Sequence, residues 1–276
     1  MSEEIYQSPS QRTTQPKKFG LEATFLPEVK SYFNTIRTDF TRFYAVSGQA
    51  IDMAEYEDIT LALIKKQYKR VTNVFKRDLR GEKKQSVPLE EQENDLINTA
   101  IVAFVLLKSK LSASQILETN GKNIQEAIGK ARVKLFEDGI EATPRNIAKE
   151  ADTILKTKFK GRAETIAISE TQYPAESAKE IEANVLAGEA PSPDFPLVPI
   201  AGAYVIKKAT KTWNTSLDER TRPAHARADG QTVPLAGFYI VDGEMLRFPR
   251  SPEGSAKNII NCRCSSQKNI IRELLN

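Results

Sequence analysis

Apolar residues recur in steps of three and four through most of the first 186 positions. That is the spacing of helices that bury one face. Between Pro27 and Tyr44 they fall at Val29, Tyr32, Phe33, Ile36, Phe40, Phe43 and Tyr44. This stripe is aromatic, and core packing explains it better than a platform for stacking bases. Ile59–Arg80 predicts a second helix, with Leu61, Ile64, Tyr68, Val71, Phe75 and Leu79 on its buried side. Gly81 to Pro88 breaks the pattern. Glu90–Leu111 predicts a third helix, apolar on more than one face around Leu96, Ile97, Ala100, Ile101, Phe104, Val105 and Leu107, and therefore central. Ser112 is expected to cap a short helix ending near Asn120-Gly121, followed by another over Ile124–Phe136. Thr143-Pro144 reads as a cap with proline in the first turn, opening a helix to about Thr157. Gly161–Leu186 predicts a last long helix, kinked or broken at Pro174.

The period then changes. Residues 187–199, AGEAPSPDFPLVP, carry four prolines and favour extended backbone. Beyond them, Ala203–Thr210 and Phe238–Phe248 have strand character. Val241-Asp242-Gly243-Glu244 reads as a tight hairpin turn, because Asp-Gly tolerates positive φ. Ile259-Ile260 is expected to be a strand leading into Cys262. Residues 1–20 are polar and show no period, so a flexible tail is expected there. The pattern therefore predicts an α+β protein: a tail over 1–20, a mainly helical region over 21–187, a Pro-rich linker over 188–200, and a small mixed α/β domain over 201–276.

Composition narrows the class only slightly. The hydrophobic share of 40% and charged share of 28% are those of an ordinary folded protein. The longest uninterrupted apolar run, Ala100–Leu107, is short of the ~20 residues that span a bilayer, so no membrane partner is expected. The N-terminus has no apolar segment of a secretory signal, which points to the cytoplasm or to something assembled there. Net charge is only +4, but it is unevenly spread. Positions 65–84 hold nine basic residues against Asp78 and Glu82. Lys65, Lys66, Lys69, Arg70, Lys76 and Arg77 are candidates for contact with phosphate or an acidic protein surface; the alternative is a solvated helix face.

The rare residues gather near the end. The only tryptophan, the only histidine and both cysteines lie between Trp213 and Cys264. The order is Trp213, Asp218-Glu219-Arg220-Thr221-Arg222, His225, Asp229-Gly230, Phe248-Pro249 and Asn261-Cys262-Arg263-Cys264. This constellation resembles the C-terminal domain of the phage Mu F-like minor head proteins, or phage head morphogenesis proteins. It covers roughly the last quarter of the chain. A weaker echo precedes it in Gly161-Arg162-Ala163-Glu164-Thr165-Ile166-Ala167 and Ser169-Glu170-Thr171. The chain departs from the family pattern after Phe248-Pro249, where Arg250-Ser251-Pro252 replaces the usual acidic residue and glycine.

The chemistry of the stretch can be read in more than one way. His225, Cys262 and Cys264 suit zinc, with Asp229 or Asp218 completing a tetrahedron. Cys-x-Cys is tighter than the pairs of common structural sites, however, and packing of both cysteines in a core is the preferred reading, with no cofactor. Asp218, His225 and Asp229 around a hydrolytic metal, or Cys264 with His225 as a nucleophile pair, would make an enzyme. No phosphate-binding glycine loop, G-x-S-x-G or H-E-x-x-H accompanies them, so no catalytic residues are assigned. The acidic pair Asp218-Glu219 is expected at the start of a helix capped by Thr215 or Ser216, and Trp213 is expected to anchor the core.

The resemblance implies a minor head protein of a tailed phage or prophage, present in few copies inside the head. It implies the portal protein as partner, with major capsid or scaffolding protein and double-stranded DNA as further partners. The competing expectation is a DNA-binding protein or a metal-dependent hydrolase acting on nucleic acid.

Overall fold

The computed structural model describes residues 3–7, 11–76, 91–188, 204–216 and 218–274. In chain order the elements are β1 (Glu3–Gln7), α1 (Gln11–Ser47), a single 3-10 turn at Met53–Tyr56, α2 (Glu57–Phe75), α3 (Glu91–Glu137), α4 (Pro144–Leu186), β2 (Tyr204–Asn214), α5 (Pro223–Ala228), β3 (Thr232–Pro234), β4 (Tyr239–Val241), β5 (Glu244–Leu246), α6 (Ala256–Ile259) and β6 (Ser265–Leu274). The fold is α+β, with a helical N-terminal region and a small C-terminal sheet region. Two compact units divide the chain. One draws on Met1–Leu21, Tyr68–Val105 and Ser169–Asn276, the other on Glu22–Gln67 and Leu106–Ile168.

In the helical unit, Phe25, Val29, Phe33, Ile36 and Phe40 of α1 are buried with Ile124 and Ala131 of α3 and Leu155 and Phe159 of α4. Phe33 and Phe159 stack with ring centroids 4.5 Å apart. The aromatic stripe read from the sequence is core, except for Phe43, which is exposed. Arg37 binds both carboxylate oxygens of Asp152 at 2.5 and 2.6 Å. The Asn120-Gly121 break does not occur, and α3 runs through both residues. Asn120 is fully buried, donates to the Tyr32 hydroxyl at 3.2 Å and accepts from Arg162 at 3.0 Å. These tertiary bonds hold its amide away from the local backbone contacts that would end a helix. Thr143 caps α4 as expected, its hydroxyl accepting from the Asn146 N–H at 3.2 Å.

The other unit contains an antiparallel sheet in the order β1-β6-β2-β3 and the β4-β5 hairpin. Residues 3–7, expected to lie in a flexible tail, form the edge strand against β6, and α1 begins at Gln11. Ladder hydrogen bonds give a polar strand its place without any apolar period. The hairpin turn falls as the sequence predicts, with Asp242 at φ 51 and Gly243 at φ 78. Ile259-Ile260 is not a strand: Ile259 closes α6, and Asn261 at φ 55 turns the chain before Cys262. Helix α4 continues through Pro174 to Leu186. Its last turns are buried on all sides, charged residues included.

Among those charged residues, Glu176, Lys179 and Glu180 are paired. Lys18 and Lys179 contact Glu176 at 2.7 and 2.6 Å. Lys211 of β2 and Lys268 of β6 face each other across the ladder, and both bind Glu180. Like charges directly opposite repel; the glutamate between them removes the conflict. Tyr68, Phe104, Tyr173 and Phe248 form a connected aromatic group in the same unit.

The second apolar face of α3 is not core. Val102, Leu106, Leu107 and Leu111 are exposed. By length and composition alone, α3 has an 18-residue window apolar enough to cross a membrane, with a mean hydropathy of 1.5 and 39% of it buried. The core helix of a water-exposed protein meets the same criterion, and Ile97, Ile101, Phe104 and Val105 serve as core.

Candidate functional site

The C-terminal constellation folds into one cluster. β2 ends by placing Trp213 in the core, where it is fully buried among Ala228, Tyr239, Val241, Leu246, Cys262 and Cys264. Its indole meets the Tyr239 ring edge-on at a centroid distance of 5.3 Å and the His225 ring edge-on at 5.6 Å. The strand is then closed by the Asp-Gly turn. Gly230, at φ 75, donates its N–H to the Trp213 carbonyl at 2.8 Å, and Asp229 Oδ1 accepts from the Thr215 N–H at 2.7 Å and its hydroxyl at 3.0 Å. A side chain at that φ would be strained, which accounts for glycine there.

Asp218 does not start a helix. Its Oδ1 accepts from the Arg220 N–H and the Thr221 hydroxyl, both at 3.1 Å, and closes a turn. The helix begins five residues later, at Pro223, whose missing N–H costs nothing in a first turn. That offset carries His225 inward. The two halves are then joined by arginines: Arg222 donates to the Ile260 carbonyl, and Arg250 donates to the Cys262 carbonyl at 3.3 Å. Arg250 opens the Arg250-Ser251-Pro252 stretch. It is buried, at φ 72.

His225 Nδ1 lies 3.4 Å from Cys264 Sγ and 3.5 Å from Cys262 Sγ, and all three residues are buried. On the other side of the ring, Nε2 lies 3.3 Å from Asn258 Oδ1. The Asn258 amide is itself oriented, because Nδ2 donates to the Val241 carbonyl at 3.3 Å. An amide oxygen can only accept, so Nε2 donates to it, and Nδ1 faces both sulfurs. A hydrogen bond from the Cys264 thiol holds Cys262 well below the usual thiol range, against burial and with help from His225. The same contact, with burial, pushes Cys264 up.

These three side chains can hold a metal ion. The carboxylates expected to complete the set do not join them: Asp229 is taken up by Thr215 and Asp218 by its own turn. A hydrolytic centre of Asp218, His225 and Asp229 is therefore not assembled. Cys264 and His225 are within reach of each other, as a nucleophile pair requires, but both are closed off from solvent.

The basic residues of α2 are placed differently. Lys66 and Lys69 are exposed, and Lys65, Arg70 and Lys76 are half-buried. Lys66 pairs with Glu28 at 3.1 Å, and Lys76 donates to the Asn98 side chain at 3.1 Å. Arg77 lies outside the described residues, as does most of the expected linker.

Sequence reasoning misses Asn258 and the buried lysines, and gives Arg250 no structural role. Nothing in the local pattern marks Asn258; its role comes from the fold bringing α6 beside α5. Compared with protein family models, curated proteins and solved structures, the chain finds no match.

Proposed function

We propose that this chain is a minor head protein of a tailed phage or prophage, held inside the head at the portal vertex and acting in head morphogenesis and in DNA packaging or ejection. The observation that carries the reading is that Trp213, Arg222, His225, Cys262 and Cys264, dispersed over about fifty positions, build a single cluster tied together by Arg222 and the Ile260 carbonyl. That the residues carrying the resemblance come together in one cluster supports the reading. The cluster supports an assembly module better than an enzyme, because its thiols and imidazole are buried and no carboxylate stands with them among the described residues.

The portal protein is the proposed partner. A DNA-binding protein is the second reading, favoured by the exposed Lys66 and Lys69 on α2. Fractionation of an infected or induced culture tests the first. The chain should sediment with procapsids and remain with them after nuclease treatment. Recovery only as free protein, or only on nuclease-sensitive complexes, would reject it.

A further inference from the structure

We infer that His225 Nδ1, Cys262 Sγ and Cys264 Sγ are the protein ligands of a structural zinc ion. Three features of the cluster lead there. The first is spacing. Zinc bonds of about 2.3 Å to sulfur and about 2.0–2.1 Å to nitrogen, set at a tetrahedral angle, hold sulfur and nitrogen about 3.5 Å apart. The observed separations are 3.4 and 3.5 Å. The second is convergence. The imidazole nitrogen and both sulfurs lie within 4.8 Å of one another in the core. A cation at their centre that displaces both thiol protons is bound by all three atoms.

The third is the support behind the imidazole. Metal-bound histidine ordinarily donates its other N–H to a fixed acceptor, which sets the tautomer. Asn258 Oδ1 is that acceptor, and Asn258 is itself fixed by the Val241 carbonyl. Arg263, between the two cysteines, turns its guanidinium to the Phe19 ring at 4.8 Å, consistent with a chain path that sends the flanking side chains inward together. Thiolate and imidazole are ligands that zinc accepts, and oxygen-seeking cations do not. Two thiolates neutralise the dication, so the buried site carries no net charge. Among the described residues no fourth His, Cys, Asp or Glu joins the group. Burial makes the ion structural.

The test uses the full-length chain, purified under reducing conditions without a histidine tag. Elemental analysis should find about one zinc per chain. Both thiols should be unreactive toward a thiol reagent at rest and become reactive when a strong chelator is added. Cys264→Ser and His225→Ala should each lower bound zinc severalfold or more. Asn258→Ala, which leaves the ligands in place, should weaken zinc affinity about 10–100-fold. Less than a tenth of an equivalent of zinc, both as purified and after incubation with zinc salt, overturns the inference. So does zinc content unchanged in Cys264→Ser, or thiol reactivity in the parent protein that is indifferent to chelator. Because the zinc and chelator measurements on the parent chain do not depend on any variant folding, they decide the matter alone if one fails to fold.

Discussion

Glu93 near the start of α3 and Arg272 in β6, 179 positions apart, meet in a bidentate ion pair with separations of 2.5 and 3.3 Å, and both side chains are buried. Removing one member of such a pair leaves a charge without its counterion in a low dielectric, at a cost of about 3–5 kcal/mol. Glu93→Gln should therefore lower the urea midpoint strongly. Glu93→Leu combined with Arg272→Met should recover most of the stability, because a matched apolar pair does not carry the desolvation penalty. A double variant as unstable as Glu93→Gln would contradict this account of the pair.

The buried charges beneath the sheet predict a pH dependence with two limbs. Burial raises the Glu176 pKa, but Lys179 and Lys18 together outweigh it and hold the carboxyl at about 2. The folded protein then binds fewer protons than the unfolded chain between pH 2 and 4.5, so this contribution is complete above 4.5 and disappears as pH falls toward 2. Burial pushes Lys268 down to about 8, against the pull of Glu180. Between 8 and 10.5 the unfolded chain again binds more protons, so Lys268 makes stability rise with pH there. Urea midpoints measured across pH should fall steeply below 4.5 in the parent. Lys268→Met should reduce the rise above pH 8 and leave the acid limb in place.

Much of this architecture is legible in the sequence, for identifiable reasons. Val29, Phe33, Ile36 and Phe40 keep helical spacing and are buried. Asp242-Gly243 has the backbone freedom a tight hairpin requires and forms one. What is not legible depends on partners distant in the chain. The edge strand Glu3–Gln7 is polar, and only pairing with β6 orders it. Asn120 looks like a helix end and is held inside α3 by Tyr32 and Arg162. In the candidate cluster, His225, Cys262 and Cys264 stand out as a set because they are rare. Asp218 and Asp229 look equally suitable as ligands, and only the folded turns show that their oxygens are used locally. Asn258 gives no signal until α6 lies against His225.

The basic face of α2 predicts a salt-dependent interaction with duplex DNA. Lys69 is exposed and Lys65 is half-buried one turn before it. The double variant Lys65→Glu/Lys69→Glu leaves the buried Ile64, Tyr68 and Val71 untouched, so its helical content should match the parent. Binding to duplex DNA at low salt should weaken. The salt slope should become shallower by about 0.9 for each phosphate that the variant no longer neutralises. Unchanged affinity and slope would mark the face as ordinary solvated surface.

Residence at the portal vertex is measured by quantifying this chain in procapsids assembled with and without the portal protein. Its amount per shell should fall to near background when the portal is omitted, while the coat protein content stays constant. The same amount per shell in the two preparations would contradict the portal assignment and leave the coat or scaffold as the surface that holds it.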